Sequence, residues 1–218
     1  MLASHIGHTA DIPTRSLSLL KEADLLIFEE DRPARLALKS AQVHREYLKF
    51  SEHLQKETLE QLKQCLKEGK TAAYMSDQGC PSLADPGSDI LKAALAIGAQ
   101  IKVIPGPSSV TAAISACPIR MDSYYYLGFL PRDKDFRSKT LQKAAKRKEA
   151  IVILDTPYRL QNLLEQCSHS FSKNTRAFLA LDITGANETY FMSKLGVLGE
   201  KIGPGKNKLN FVLIIDNK

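Results

Sequence analysis

The chain has 218 residues, enough to bury one large core or two modest ones, and its apolar and charged fractions, 44% and 25%, are those of an ordinary globular protein. No apolar run approaches the roughly twenty residues of a membrane span, and the N-terminus lacks the basic-then-apolar layout of a signal peptide, so a cytoplasmic protein with no membrane anchor is expected. Lys and Arg outnumber Asp and Glu by six, a balance that permits attraction to nucleic acid but is too mild to require it.

Strand-like apolar runs occur at residues 24–28, 71–75, 101–104, 124–130, 150–155, 177–182, 189–192 and 211–215. Helical spacing appears between them, at Leu59, Leu62 and Leu66, at Ile90, Leu91, Ala94 and Leu95, and at Leu160, Leu163 and Leu164. Such alternation predicts an α/β fold with a mainly parallel first sheet. The later strands lie closer together, and residues 177–182, Thr184-Gly185-Ala186-Asn187 and residues 189–192 read as a hairpin, which makes the second sheet mixed. The helical pattern after Pro105-Gly106-Pro107-Ser108-Ser109 stops near Cys117-Pro118, and a Tyr-rich strand follows. That break predicts an N-terminal α/β domain over 1–118 and a C-terminal α/β domain over 119–218.

Two strand-like runs discharge into Gly/Pro-rich loops that open helices: Met75-Ser76-Asp77-Gln78-Gly79-Cys80-Pro81-Ser82-Leu83-Ala84-Asp85-Pro86-Gly87, and Lys102-Val103-Ile104-Pro105-Gly106-Pro107-Ser108-Ser109. At the carboxyl edge of an open sheet, glycines let backbone approach a ligand and helix-start amides offer it donors. The same spacing also suits ordinary strand-to-helix turns, with Asp85 and Ser88 capping the next helix.

The order Ser-Asp-x-Gly-x-Pro-x-x-x-Asp-Pro-Gly, Pro-Gly-Pro-Ser-Ser, Gly128-Phe129-Leu130-Pro131 and Thr156-Pro157-Tyr158-Arg159-Leu160 resembles the tetrapyrrole methylase superfamily of S-adenosylmethionine-dependent methyltransferases. Within it the chain is most similar to the branch that methylates small-subunit ribosomal RNA at a cytidine 2′-hydroxyl. The similarity begins at Ala3-Ser4-His5-Ile6-Gly7-His8-Thr9-Ala10-Asp11-Ile12 and includes Glu29-Glu30-Asp31-Arg32 with Arg35. Ser51-Glu52-His53 keeps part of the branch's His-Glu-His-Asn pattern, with Leu54 in place of the Asn, and only Met1 to Ser4 remain for the family's first strand. Either that strand is short or the chain starts upstream.

The resemblance implies a two-lobed fold with S-adenosylmethionine in the cleft between the lobes, and a homodimer. It implies that Ser76, Asp77, Gly79 and Cys80 hold the methionine end or ribose, that Gly106, Ser108 and Ser109 line the same pocket, and that Leu154, Thr156, Asp182 and Ile183 enclose the adenine. It places Arg32, Arg35, Arg132 and Arg159 on the substrate side, where a planar guanidinium suits a phosphate. The run Arg132-Asp133-Lys134-Asp135-Phe136-Arg137-Ser138-Lys139, with Lys143, Lys146, Arg147 and Lys148 after it, resembles a basic loop and helix of the RNA-modifying branch, and its interleaved acids equally suit a solvated helix face.

Other chemistries find little support. His5 and His8 have no carboxylate or Cys cluster to complete a metal site, so no metal is expected. Cys65, Cys80, Cys117 and Cys167 form no Cys-x-x-Cys pair and read as reduced thiols. A Gly-x-Ser-x-Gly elbow, a Walker lysine loop and the Rossmann glycine fingerprint are all missing. The expected activity is methyl transfer to an RNA ribose hydroxyl, with Asp11, Glu29, Glu30, His53 and Glu188 as candidate bases and no one of them selected. The alternatives are a tetrapyrrole, protein or peptide acceptor, or binding of cofactor or RNA without turnover.

Overall fold

The computed structural model describes residues 1–50, 55–203 and 208–218, and the chain divides into two compact units, Met1–Ser108 and Ser109–Lys218. In the first unit β1 (Leu25–Phe28), β2 (Leu48–Lys49) and β3 (Ala72–Met75) pair in the order β2-β1-β3, all parallel, as the sequence predicts. Successive side chains alternate between the faces of the sheet. Leu26, Phe28, Ala73 and Met75 pack with Leu20, Ala34 and Ala37, while Ile27 and Tyr74 pack with Leu62 and Ile90. Both faces are therefore apolar, which is why these strands read as continuous apolar runs.

The contacts come from α1 (Thr14–Glu22) and α2 (Asp31–Ser40) on one face, and from α3 (Gln55–Lys67) and α4 (Gly87–Leu95) on the other. Asp24 fastens the entry to β1, because Thr71 donates to its Oδ2 through both N–H (2.8 Å) and Oγ1 (2.9 Å).

The run at 101–104 forms a bridge where a strand was expected. Leu2 bridges Met75 on one side and Ile104 on the other; its N–H donates to Tyr74 O (2.8 Å), and Ile104 N–H donates to Met1 O (2.9 Å). Among the described residues the strand-like pairing here reduces to this single position. A cavity of about 550 Å³ opens at the N-terminal end of β3 beside Met1, Leu62, Leu66, Ile90 and Ala94, the end of the strand opposite the Gly/Pro loops.

The second unit contains α5 (Ser109–Ala116), β4 (Tyr124–Phe129), α6 (Lys134–Ala145), β5 (Ala150–Asp155), α7 (Leu160–Phe171), β6 (Arg176–Leu181), β7 (Thr189–Lys194), α8 (Leu195–Lys201) and β8 (Phe211–Ile215). The division falls before α5, where the sequence pattern suggests a boundary after it; α5 packs on β8 and so belongs with the later strands. Among the described residues the sheet runs β4-β5-β8-β6-β7, with β4 and β5 parallel and the other neighbours antiparallel. The expected hairpin is β6 and β7, and the expected mixed sheet is present.

The backbone between β6 and β7 turns with positive φ at Asp182 (49°) and Thr184 (62°). Asp182 Oδ2 accepts from Asn187 N–H (2.8 Å), which closes the turn. Asp133 caps α6 by accepting from Asp135 N–H (3.0 Å) and Phe136 N–H (2.9 Å). Leu160, Leu163, Leu164, Cys167 and Phe171 form the apolar stripe of α7 against the sheet. All four cysteines are free, and burial pushes the Cys167 thiol up. No helix among the described residues is long and apolar enough to cross a membrane.

Leu213, on the central strand β8, is fully buried within this core. Leu213→Ala is expected to lower unfolding stability by about 2–5 kcal/mol, read from the urea midpoint at unchanged slope.

Candidate functional site

In the first unit Phe28 and Met75 are in register, so the chain leaves β1 and β3 side by side at one edge of the sheet. The two exits are tied reciprocally: Asp77 N–H donates to Glu29 Oε1 (3.1 Å), and Glu30 N–H donates to Asp77 Oδ1 (3.2 Å). Beyond this clasp the loop folds back on itself. Ser76 is buried, and its Oγ donates to Gly79 O (3.1 Å). Gly79 N–H donates to His5 O (2.9 Å), and Ser4 N–H donates to Gly79 O (2.8 Å), so the first loop of the chain lies against this one.

Gly79 has φ +71°, and a Cβ there would stand 3.1 Å from Pro107 O. A side chain is thus opposed both by backbone conformation and by the neighbouring Pro-Gly-Pro turn. Cys80 Sγ donates to Gly106 O (3.4 Å), and a Cβ on Gly106 would meet Ala3 Cβ at 2.5 Å. The structure therefore gathers Ser76, Asp77, Gly79, Cys80 and Gly106 into one loop cluster, with Ser108 ending the Pro-Gly-Pro turn.

Asp85 serves the loop's own fold, accepting from Ser82 N–H (2.9 Å) and Gly87 N–H (2.6 Å). Gly87 is itself hemmed in, since a Cβ would lie 2.8 Å from Asp85 Oδ1 and 2.9 Å from Tyr74 Cε1. Tyr74 O–H donates to Asp85 Oδ1 (3.4 Å). Carboxylates crowd this edge, and Glu29 is pushed up to about 7, chiefly by burial and further by the charges of Asp77 and Asp85. Burial also raises Asp77 and Tyr74. Arg32 and Arg35 stand exposed on α2, just past Glu29.

In the second unit Asp155 and Leu181 both pair with Phe211, and Phe129 pairs with Leu154. The loops after β4, β5 and β6 therefore emerge at the same edge, which brings together Leu154, Thr156, Asp182 and Ile183. Asp155, buried at that edge, accepts from Thr156 N–H (2.7 Å) and lies 3.0 Å from Arg159 Nη2. Arg159 Nη2 also donates to Leu130 O (3.0 Å) and Pro131 O (3.1 Å). This side chain is turned inward to hold the loop after β4, whereas Arg132 on that loop is exposed.

Glu188, another candidate base, accepts from Thr184 N–H and from Tyr190 O–H (2.9 Å), both within its own hairpin. His53 lies outside the described residues. His8 Nδ1 accepts from Ala10 N–H (3.1 Å), burial lowers the pKa of His5, and no group of metal-holding side chains occurs among the described residues. Sequence reasoning placed Arg137 in a basic run but not its role in holding the loop, where its Nη1 donates to Pro131 O (3.1 Å) and Arg132 O (2.9 Å). The signal for that role is its place one turn into the helix that Asp133 caps.

A two-unit α/β chain with Gly/Pro loops at the C-terminal strand edges suits the class of open-sheet ligand-binding enzymes. The family of tetrapyrrole (corrin/porphyrin) methylases matches residues 6–199, and the chain belongs to that family. It is similar to the ribosomal RNA small subunit methyltransferase I of Thermotoga maritima, at 29% identity over 195 residues, covering 89% of this chain and 87% of the relative. Among solved structures, diphthine synthase shares the fold with a TM-score of 0.72 at 14% identity, covering 98% of this chain and 88% of that one. Uroporphyrin-III C-methyltransferase from Thermus thermophilus, solved with S-adenosylhomocysteine, matches with a TM-score of 0.63 at 16% identity, covering 95% and 92%.

The raised Glu29 gives the first unit a pH signature. A carboxyl that takes its proton more tightly folded than unfolded contributes fully below pH 4.5 and loses that contribution as pH rises to about 7. Glu29→Gln keeps an oxygen for Asp77 N–H and removes the titration. Its stability relative to wild type is expected to improve between urea melts at pH 5 and pH 8, and an unchanged difference would show that Glu29 titrates normally.

Proposed function

We propose that the chain transfers a methyl group from S-adenosylmethionine to ribosomal RNA at a ribose 2′-hydroxyl. The observation that carries this reading is the near full-length similarity to a relative named as a ribosomal RNA small subunit methyltransferase. The complex of a fold neighbour with S-adenosylhomocysteine supports the choice of donor. A cytoplasmic location and a homodimer belong to the same reading.

In this reading Ser76, Asp77, Gly79 and Cys80, with Gly106, Ser108 and Ser109, hold the methionine end and ribose of the donor, and Leu154, Thr156, Asp182 and Ile183 enclose its adenine. The first cluster fits such a ligand. Its backbone is held by internal hydrogen bonds, its glycines keep side chains out, and the carboxylate of Asp77 suits a sulfonium cation. When bound, S-adenosylmethionine supplies a methyl group already activated by positive sulfur. The residues then have to orient the acceptor oxygen at about 3–3.5 Å and take its proton. Glu29, held near neutrality, has the proton affinity that a base at physiological pH requires. Arg32, Arg35 and Arg132 meet the RNA backbone, and Arg159 contributes by fixing the loop that carries Arg132.

The test is methyl transfer from labelled S-adenosylmethionine to ribosomal subunits, naked ribosomal RNA and tetrapyrrole precursors, with donor affinity measured by calorimetry. Label should enter the RNA. Gly79→Val should weaken donor binding at least tenfold, because branching at positive φ beside Pro107 O displaces the loop. Glu29→Gln should reduce kcat while leaving donor affinity within about twofold, a split characteristic of a lost base. Label in the tetrapyrrole alone would refute the acceptor, and absence of donor binding at millimolar concentration would refute the whole reading.

A further inference from the structure

The loops after β4 and β5 enclose a cleft of about 500 Å³, lined by Arg132, Arg137, Thr156, Tyr158, Arg159 and Asn162. Three guanidinium groups thus border one cavity. The neighbouring carboxylate, Asp155, has no exposed side-chain surface and is paired with Arg159, while Asp133, on the loop ahead of α6, is occupied as the cap of that helix.

Two of the three cations also act as struts. Arg137 Nε donates to Gln166 Oε1 (2.5 Å) and its Nη1 donates to the carbonyls of Pro131 and Arg132; Arg159 donates to the carbonyls of Leu130 and Pro131. These bonds fix the short loop at whose end Arg132 stands exposed. Tyr158 lies on the 3-10 turn Pro157–Arg159 and is 80% exposed, whereas Tyr74, a core tyrosine of the same chain, is 2% exposed. A large aromatic ring held in solvent on a Pro-started turn, beside a rigid cationic cleft, does nothing for packing. It has the form of a platform for another flat group.

We infer that this cleft is a subsite for one nucleotide of single-stranded RNA. Tyr158 stacks on the base, Arg132 bonds the phosphate with its planar fork, and Asn162 offers its amide to the base edge, while Arg137 and Arg159 are positioning residues for the loop. The inference rests on the RNA-methyltransferase reading and adds to it the groups that grip the strand. Stacking on an aromatic ring tolerates any base, so the cleft supplies affinity and orientation more than sequence choice.

The test uses the full chain and a fluorescent single-stranded RNA of about ten nucleotides, followed by anisotropy over a salt series. Tyr158→Ala should raise Kd about tenfold and Tyr158→Phe should restore it. Arg132→Ala should raise Kd and lower the slope of log K against log salt by about one. Both side chains are exposed, so thermal midpoints should match wild type, and calorimetric affinity for S-adenosylhomocysteine should be unchanged in each variant.

Unchanged RNA affinity in both alanine variants would overturn the inference. So would a loss of S-adenosylhomocysteine binding, which would give the cleft to the donor, or binding of a carboxylated tetrapyrrole, lost in Arg132→Ala, by a protein that does not bind RNA. Wild-type protein that grips RNA through Tyr158 yet transfers no methyl group would leave the cleft standing and remove the proposed function. Transfer at wild-type KM by both variants would do the reverse.

Discussion

The clasp between Glu29, Glu30 and Asp77 is the constraint on which the first unit's functional edge depends. Parallel pairing of β1 with β3 brings two strand exits together, but it does not by itself order the loops that follow. Two hydrogen bonds, each from a main-chain N–H on one loop to a carboxylate on the other, supply that order. Their cost is electrostatic. Burying Glu29 beside Asp77 raises its proton affinity, and the same crowding gives the edge a negative character and a group that titrates near neutrality. Fold and chemistry meet in one pair of carboxylates: the Asp77 N–H bond that positions the Ser76–Cys80 backbone pulls Glu29 down, and burial outweighs it, leaving the raised carboxyl that we propose as the base.

The second unit solves the same problem with the charges reversed. Its sheet register places Asp155 and Leu181 on either side of Phe211, so three loops leave at one edge. There Arg137 and Arg159 bind carbonyls of the loop after β4, and the buried Asp155 anchors Arg159. Guanidinium groups suit this task because one planar fork can satisfy several carbonyls that the bend leaves without partners. The result is a rigid cationic rim on the unit that carries the exposed aromatic Tyr158.

Much of this was legible in the chain because it depends on local pattern. Residues 150–154 and 211–215 are uninterrupted apolar runs rich in β-branched side chains, and the ranges 150–155 and 211–215 read from them are those of β5 and β8. The hairpin of β6 and β7 follows from two apolar runs around Thr184-Gly185. Long-range relations were not legible. Residues 101–104 read as a strand, yet strand length depends on what lies alongside, and among the described residues the bridge there is to Leu2 alone. The helix α5 resembles a continuation of the first domain until its packing on β8 is seen. Arg159 was found by its motif, but whether a guanidinium points out to a phosphate or in to Asp155 is decided by the loop after β4, far away in sequence. Glu29 and Asp77 were each singled out; their clasp, across 48 residues, leaves no periodicity to detect.

The central claim is that the two strand-edge clusters serve methylation of a ribose in ribosomal RNA. It is tested most directly by mass spectrometry of nucleosides from the small-subunit RNA of cells with and without the gene. The account predicts that one ribose-methylated nucleoside disappears in the deletion strain and returns when purified protein and S-adenosylmethionine are added to the undermethylated subunits. An unchanged nucleoside profile, with no methyl group restored by the protein, would contradict it.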